Sequence, residues 1–232
     1  MPTIGIVAGE ASGDLLGSHL IRALKSRRPD LEFVGIAGPK MMAEGAKTLF
    51  PMERLSVRGY VEVLKHLPGL LRLRKQLTQH FIDNPPDLFI GIDAPDFNFT
   101  LERNLKNKGI RTIHYVSPSI WAWRKGRIKK IRAAVSHMLA LFPFEATIYE
   151  QANIPVTYVG HPLADILPID TNMAEARVSL KLTNATHVIA MLPGSRQSEV
   201  RQLAHLYVRT ARLILNKQPA TKFLIPVVTK AT

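Results

Sequence analysis

Asp87-Leu88-Phe89-Ile90-Gly91-Ile92-Asp93-Ala94-Pro95-Asp96-Phe97-Asn98 is an almost wholly apolar run that ends in two carboxylates. Leu88 to Ile92 is short, uncharged and without polar alternation, which predicts a central parallel strand covered on both faces. Asp93 then falls at the carboxyl end of that strand, and ligands of open α/β sheets bind just outside this edge. Asp93 is therefore the first candidate for chemistry. A cap on the following turn or helix is the alternative for Asp93, and for Asp96 before a helix starting near Asn98.

The flanking sequence repeats the order of strand, loop and helix. Ile4 to Ala8 predicts a first strand, Gly9-Glu10-Ala11-Ser12-Gly13-Asp14 a glycine-containing loop, and Leu15, Leu16, Leu20, Ile21 and Leu24 an amphipathic helix. Amides at that helix start could hold an anion, but the loop is neither a Walker loop nor a GxGxxG fingerprint. A βα turn capped by Ser12 or Asp14 explains it equally well. Glu10 would face the same crevice as Asp93 if the two strands are parallel. Further strands are expected at Phe33 to Ala37, Arg111 to Val116, Met138 to Leu141 and Val156 to Val159. His161, after the last of these, reads as a hydrogen-bonded structural residue.

At 232 residues and 46% hydrophobic content the chain can bury a substantial core. It has no cysteine, which excludes disulfides and thiolate metal sites and fits a reducing cytoplasm. No metal-ligand spacing such as HExxH occurs, so no metal is expected. The apolar start lacks a basic region and reads as a strand, and no uncharged stretch approaches the roughly 20 residues of a bilayer span. A soluble or peripheral protein is expected.

The formal charge of +13 is unevenly placed. Between Glu102 and Glu145 there is no acidic residue, while Arg103, Lys106, Lys108, Arg111, Arg124, Lys125, Arg127, Lys129, Lys130 and Arg132 all fall there. One strongly positive face suits nucleic acid, an anionic membrane or a phosphorylated substrate. Trp121 and Trp123 lie in the same run and could stack on bases, sit at a lipid interface or plug a helix. A solvated helix face is the plainer account of the basic residues. From Tyr60 to Phe81 two helical pieces are expected, separated at Pro68-Gly69. Their apolar positions Val61, Val63, Leu64, Leu67, Leu70 and Leu71 cover more than one helical face, so both a core stripe and an interfacial membrane helix fit.

Composition turns polar over 168–186, where a connection with one short helix, Met173 to Leu180, is expected between a first α/β domain at 1–167 and the start of a second at 187–232. The second opens with a strand at Val188 to Leu192, a loop Pro193-Gly194-Ser195-Arg196, a helix from about Val200 to Asn216 and a strand at Phe223 to Val228. Gly194, Ser195 and Arg196 offer amides and a guanidinium at a helix start, which suits a diphosphate; a capped turn is the alternative. One such unit is small for a separate domain, which predicts a truncated chain.

Taken in order, Val7-Ala8-Gly9-Glu10-Ala11-Ser12-Gly13-Asp14, Gly35-Ile36-Ala37-Gly38-Pro39, Gly91 to Asn98, His114 to Arg124, Gly160-His161-Pro162 and Leu192-Pro193-Gly194-Ser195-Arg196 resemble the lipid-A-disaccharide synthase family. The resemblance implies a GT-B architecture, a Rossmann-like N-terminal domain with a parallel sheet and a second Rossmann-like domain across a cleft. It implies inverting, metal-independent transfer of 2,3-diacylglucosamine from UDP-2,3-diacylglucosamine to the 6-hydroxyl of 2,3-diacylglucosamine 1-phosphate (lipid X), without a cofactor. The family's later Gly-Thr-rich donor loop and downstream Glu have no counterpart within these residues.

On that reading Asp93 is the general base, Glu10, Ser12, Gly13 and Asp14 line the acceptor side, and Gly194, Ser195 and Arg196 stabilise the departing UDP. The stretch Val61 to Leu71 and the basic run would dock the enzyme on the anionic inner leaflet of the inner membrane from the cytoplasm. A second copy of the chain is a further candidate partner, and nucleic acid is not expected. The rival readings are another UDP-sugar enzyme of the same fold, such as a hydrolase or epimerase acting on UDP-N-acetylglucosamine, and a basic nucleic-acid-binding module.

Overall fold

A computed structural model describes residues 1–55, 60–120, 126–182, 187–194 and 197–226, with the backbone alone for 60–66, 197 and 198. The chain divides into two units, Met1–Leu167 and Pro168–Thr232. In the first, β1 (Thr3–Ala8), α1 (Ala11–Arg27), β2 (Glu32–Ile36), α2 (Pro39–Ala43) and β3 (Ala46–Thr48) lead through a 3-10 turn at Met52–Arg54 to α3 (Tyr60–Asp83). Then follow β4 (Leu88–Ile92), α4 (Pro95–Lys106), β5 (Thr112–Tyr115), α5 (Arg127–Ala134), β6 (His137–Ala140), α6 (Pro143–Gln151), β7 (Val156–Tyr158) and α7 (Leu163–Ile166).

The seven strands form one parallel sheet in the order β3-β2-β1-β4-β5-β6-β7. The chain winds outward from β1 to β3, returns, and continues outward from β4 in the other direction. The topological switch point therefore lies between β1 and β4, where such sheets open a crevice at the carboxyl edge. These two strands pair from Ile4↔Leu88 to Ala8↔Ile92, so they end level and deliver Gly9 and Asp93 side by side.

Burial on both faces explains the uninterrupted apolar runs. Ile6, Val7, Ala8, Phe89 and Ile92 are almost wholly excluded from solvent, beneath Ile21 of α1, Leu73, Leu77 and Phe81 of α3, and Leu101 and Leu105 of α4. The four-residue spacing of Leu73, Leu77 and Phe81 keeps them on one helical face. A smaller cluster of Ile131, Ala134, Met138 and Tyr149 holds α5 and α6 to the distal strands.

Two helical boundaries differ from those expected. The chain does not break at Pro68-Gly69: α3 runs through both, and both are exposed. Pro68 cannot donate to the preceding turn, but it lies on the exposed side of the helix, while Leu73, Leu77 and Phe81 anchor the helix below. Likewise α4 begins at Pro95 rather than near Asn98, because proline's fixed φ is already helical at the first position. Asp96 thus lies inside the first turn and does not cap.

In the second unit Asn172 caps α8 (Met173–Ser179), accepting the amides of Ala174 at 3.1 Å and Glu175 at 3.3 Å. β8 (Val188–Ala190), α9 (Gln197–Lys217) and β9 (Lys222–Leu224) follow, with β8 and β9 parallel. The expected strand to Val228 ends sooner; residues 227–232 lie outside the described ones. Among the described residues no helix is long and apolar enough to cross a membrane.

Candidate active site

The loops that leave β1 and β4 touch. A Cβ built on Gly9 would lie 2.8 Å from the Ala94 Cβ, so only glycine admits this approach. Glu10 stands at the N-cap of α1 with extended backbone, and Ala11 begins the helix. Ser12 is exposed in the first turn and Gly13 is buried against Ala8 and Ile92. Neither Ser12 nor Asp14 caps α1. Asp14 instead accepts the amides of Lys40 at 3.0 Å and Met41 at 2.9 Å, holding the start of α2 against α1. Asp14 is 3% exposed as a residue, so these amides take the place of water around its carboxylate.

Asp93 is half-buried and does not cap α4, whose N-cap is Ala94. Its amide donates to the Tyr115 carbonyl at 2.9 Å. Asp93 and Ala94 have φ of +50° and +44°, and Val116, which follows β5, has +85°. Non-glycine residues in the left-handed region cost about 1–3 kcal/mol each and persist where their surroundings hold them. This strain gathers at the carboxyl edge of β4 and β5, beside the switch point.

Beneath Asp93 lies a polar layer buried inside the core. Asn98 of α4 donates its carboxamide to the Asp93 carbonyl at 2.8 Å, with Ile92 and Val7 carbonyls at 3.4 and 3.5 Å. One turn on, Glu102 meets His114 of β5 at 2.7 Å with both side chains wholly buried. Burial pushes the Glu102 carboxyl above the ordinary range, and His114 opposes this only in part. Phe99 packs on the His114 ring at 4.4 Å. Asn98 and His114 lie in two of the runs that carry the family resemblance, but the sequence alone assigns neither a role, and Glu102 lies in none of them. The signal was the spacing 98, 101, 102, 105, one helical face toward the sheet on which two of four side chains are polar.

Beside the Asp93 loop, Pro95, Asp96, Phe99, Thr100, Arg127 and Lys130 line a cavity of about 490 Å³. Arg127 pairs with Asp96, and Arg74 reaches the Asp96 carbonyl at 3.4 Å. Lys129, Lys130 and Arg132 of α5 are exposed while Ile131 and Ala134 are buried, so α5 turns its basic residues outward. Trp121, Trp123, Arg124 and Lys125 lie outside the described residues. His161 accepts the Leu163 amide on Nδ1 at 3.1 Å, the structural part expected of it.

On α3, Leu67 and Leu71 are 40% and 46% exposed and Leu70 is half-buried; the side chains of Val61, Val63 and Leu64 lie outside the described residues. In the second unit Gly194 has φ +126°, in the region that favours glycine, just before α9, and Tyr207 of α9 donates to the Leu192 carbonyl at 3.2 Å. Ser195 and Arg196 lie outside the described residues.

A parallel sheet with a strained carboxylate at its switch point, followed by a second parallel α/β unit, defines a Rossmann-like fold of the GT-B class. UDP-GlcNAc 2-epimerase from Neisseria meningitidis, solved bound to UDP-GlcNAc, shares this fold with a TM-score of 0.62 over 98% of this chain and 66% of that one, at 14% identity. The chain belongs to the lipid-A-disaccharide synthetase family, whose model matches residues 4–232. It is 73% identical over all 232 residues to the lipid-A-disaccharide synthase of Methylobacillus flagellatus, covering 61% of that protein. Against the Aromatoleum aromaticum lipid-A-disaccharide synthase the identity is 56%, over 99% of this chain and 59% of the relative. The chain thus spans about three fifths of the length of these relatives.

Proposed function

We propose that this chain, as part of a full-length protein, catalyses transfer of 2,3-diacylglucosamine from UDP-2,3-diacylglucosamine to the 6-hydroxyl of lipid X. The products are the lipid A disaccharide 1-phosphate and UDP. One observation carries the reading: in a chain of this family, the carboxylate at the switch point, Asp93, is half-buried and left by its helix free of any capping duty. A sugar hydroxyl is a poor nucleophile and needs a base within hydrogen-bond reach. Asp93 accepts the hydroxyl proton as that oxygen bonds to the anomeric carbon, and the bond from this carbon to the UDP oxygen breaks with its electron pair going to UDP.

Glu10 and Ser12 line the acceptor side, with Gly13 admitting close packing and Asp14 holding α2 beside them. The amides at the start of α9 with Gly194, Ser195 and Arg196 stabilise the negative charge on the leaving UDP. Lys130, next to the Arg127–Asp96 ion pair, leaves the cavity beside the Asp93 loop with a net positive charge, which suits an anionic acceptor. Exposed Leu67 and Leu71, with the exposed Arg103, Lys108, Arg111, Lys129 and Lys130, support peripheral docking on the anionic inner leaflet.

The test uses a chimaera in which the carboxyl-terminal remainder of the Methylobacillus flagellatus relative follows residue 232. It is expected to release UDP and disaccharide 1-phosphate one for one, and Asp93→Asn is expected to lower turnover at least ~10²-fold with circular dichroism unchanged. Near-parental turnover by a folded Asp93→Asn protein would remove Asp93 as base. Epimerisation or hydrolysis of UDP-N-acetylglucosamine, without disaccharide formation, would replace the reaction itself.

A further inference from the structure

Asn98 is 0% exposed, and its carboxamide faces the carbonyls of Val7, Ile92 and Asp93. Only the NH2 end of an amide can face three carbonyl oxygens, so the chemistry fixes its orientation. The shortest of the three bonds, 2.8 Å, goes to Asp93. Asp93 and Ala94 sit in the left-handed region at φ +50° and +44°, a conformation that non-glycine residues leave unless held. The Asp93 N–H is tied to Tyr115 of β5 and its C=O to Asn98 of α4. Both flanks of the residue are therefore anchored, and the Cα that carries the carboxylate is set by two hydrogen bonds.

Asn98 is itself braced. A Cβ on Gly91 would come within 3.1 Å of the Asn98 Cβ and 2.1 Å of Glu102 Oε1, so α4 lies directly on β4, and Glu102 is pinned to β5 through His114. Strand, helix and neighbouring strand converge on one main-chain carbonyl.

We propose that Asn98 is a positioning residue: acting through the Asp93 carbonyl, it holds Asp93 in the left-handed conformation from which its carboxylate serves as base. It touches no substrate. This rests on the reading of Asp93 as base, and the experiment separates the two.

In the chimaera, Asn98→Ala, Asp93→Asn and the double variant are compared for kcat, KM for lipid X and thermal midpoint. Misplacing a reacting group by about 1 Å can cost ~10²-fold in rate, so Asn98→Ala is expected to lower kcat about 10²-fold with KM within about threefold. In the Asp93→Asn background the same change is expected to alter residual turnover by less than about twofold, because Asn98 acts only through Asp93. A folded Asn98→Ala protein with kcat within about threefold of the parent overturns the proposal. So does a loss of equal size in both backgrounds, which marks a general loss of structure. If Asn98→Ala does not fold, Asn98→Ser leaves a smaller void while its shorter side chain withdraws the donor from the Asp93 carbonyl; the same split is expected, and parental kcat overturns the proposal equally. Should Asp93→Asn alone keep near-parental turnover, the base assignment falls whatever Asn98 does.

Discussion

Gly9 and Ala94 meet at the switch point: a Cβ on Gly9 would stand 2.8 Å from the Ala94 Cβ, closer than real side-chain carbons come. The loops after β1 and β4 are thus packed on each other, and Glu10 and Asp93, one on each loop, inherit their spacing from this contact. The first prediction follows. Gly9→Ala should destabilise the protein by about 1–3 kcal/mol, the usual range for overpacking, read as a lower urea midpoint with unchanged slope. Adding Ala94→Gly removes the opposing carbon and relieves the positive φ there, so the double variant should recover most of the loss. A neutral Gly9→Ala would mean that the loops are not in contact.

Asp14 supports α2 from 26 and 27 residues away in sequence, through the amides of Lys40 and Met41. Asp14→Ala leaves both donors without that acceptor, and Met41 is fully buried. A loss of about 1–3 kcal/mol is expected, with Asp14→Asn milder because its carbonyl still accepts one bond. Equal losses for the two variants would point to the charge rather than to the hydrogen bonds.

The sheet was legible because its strands are buried on both faces, which leaves short apolar runs such as Leu88 to Ile92 with turn residues between them. The position of Asp93 and Glu10 followed from that alone, since parallel strands bring their carboxyl ends to one edge. Helix boundaries were less legible: Pro68-Gly69 reads locally as a stop, yet Leu73, Leu77 and Phe81 anchor α3 well enough to carry it through. Asp14 read as a cap for its own helix, whereas its partners lie on α2, a pairing that only the tertiary fold creates. The buried pairing of Asn98 and Glu102 with β4 and β5 was not legible because a polar residue in a helix reads as solvent-facing until its neighbours Leu101 and Leu105 are known to point inward, and His114 of β5 meets Glu102 only in the tertiary fold.

Glu102 gives the protein a pH-dependent stability. Burial holds its carboxyl above the ordinary value of 4.5, with His114, the titratable group facing it, pulling the other way. The folded state therefore binds this proton more tightly than the unfolded chain. That stabilisation is complete below the unfolded value and is lost as pH rises through the folded one. Glu102→Gln keeps the shape and a hydrogen bond to His114 but removes the titration. The thermal midpoint of the parent relative to this variant should be most favourable in acid and decline steadily as pH rises. A constant difference between about pH 4 and pH 9 would show that Glu102 has the same affinity for its proton in both states.

Leu67 and Leu71 lie four residues apart on the outer side of α3, at 40% and 46% exposure, while the inner side is fixed by Leu73, Leu77 and Phe81. Two large exposed aliphatic side chains on a helix, in a chain of charge +13, are what an interfacial contact with anionic lipid uses. Changing both to Ser should leave circular dichroism unaltered, because neither belongs to the core, and should lower flotation with phosphatidylglycerol vesicles several-fold. Raising salt should weaken the remaining association, since the basic residues contribute through a screened attraction. Loss of helical signal in the double variant would return the pair to the core. Unchanged flotation would move the lipid contact elsewhere, and oligonucleotide binding that outcompetes the vesicles at the same salt would favour the nucleic-acid alternative for the basic face.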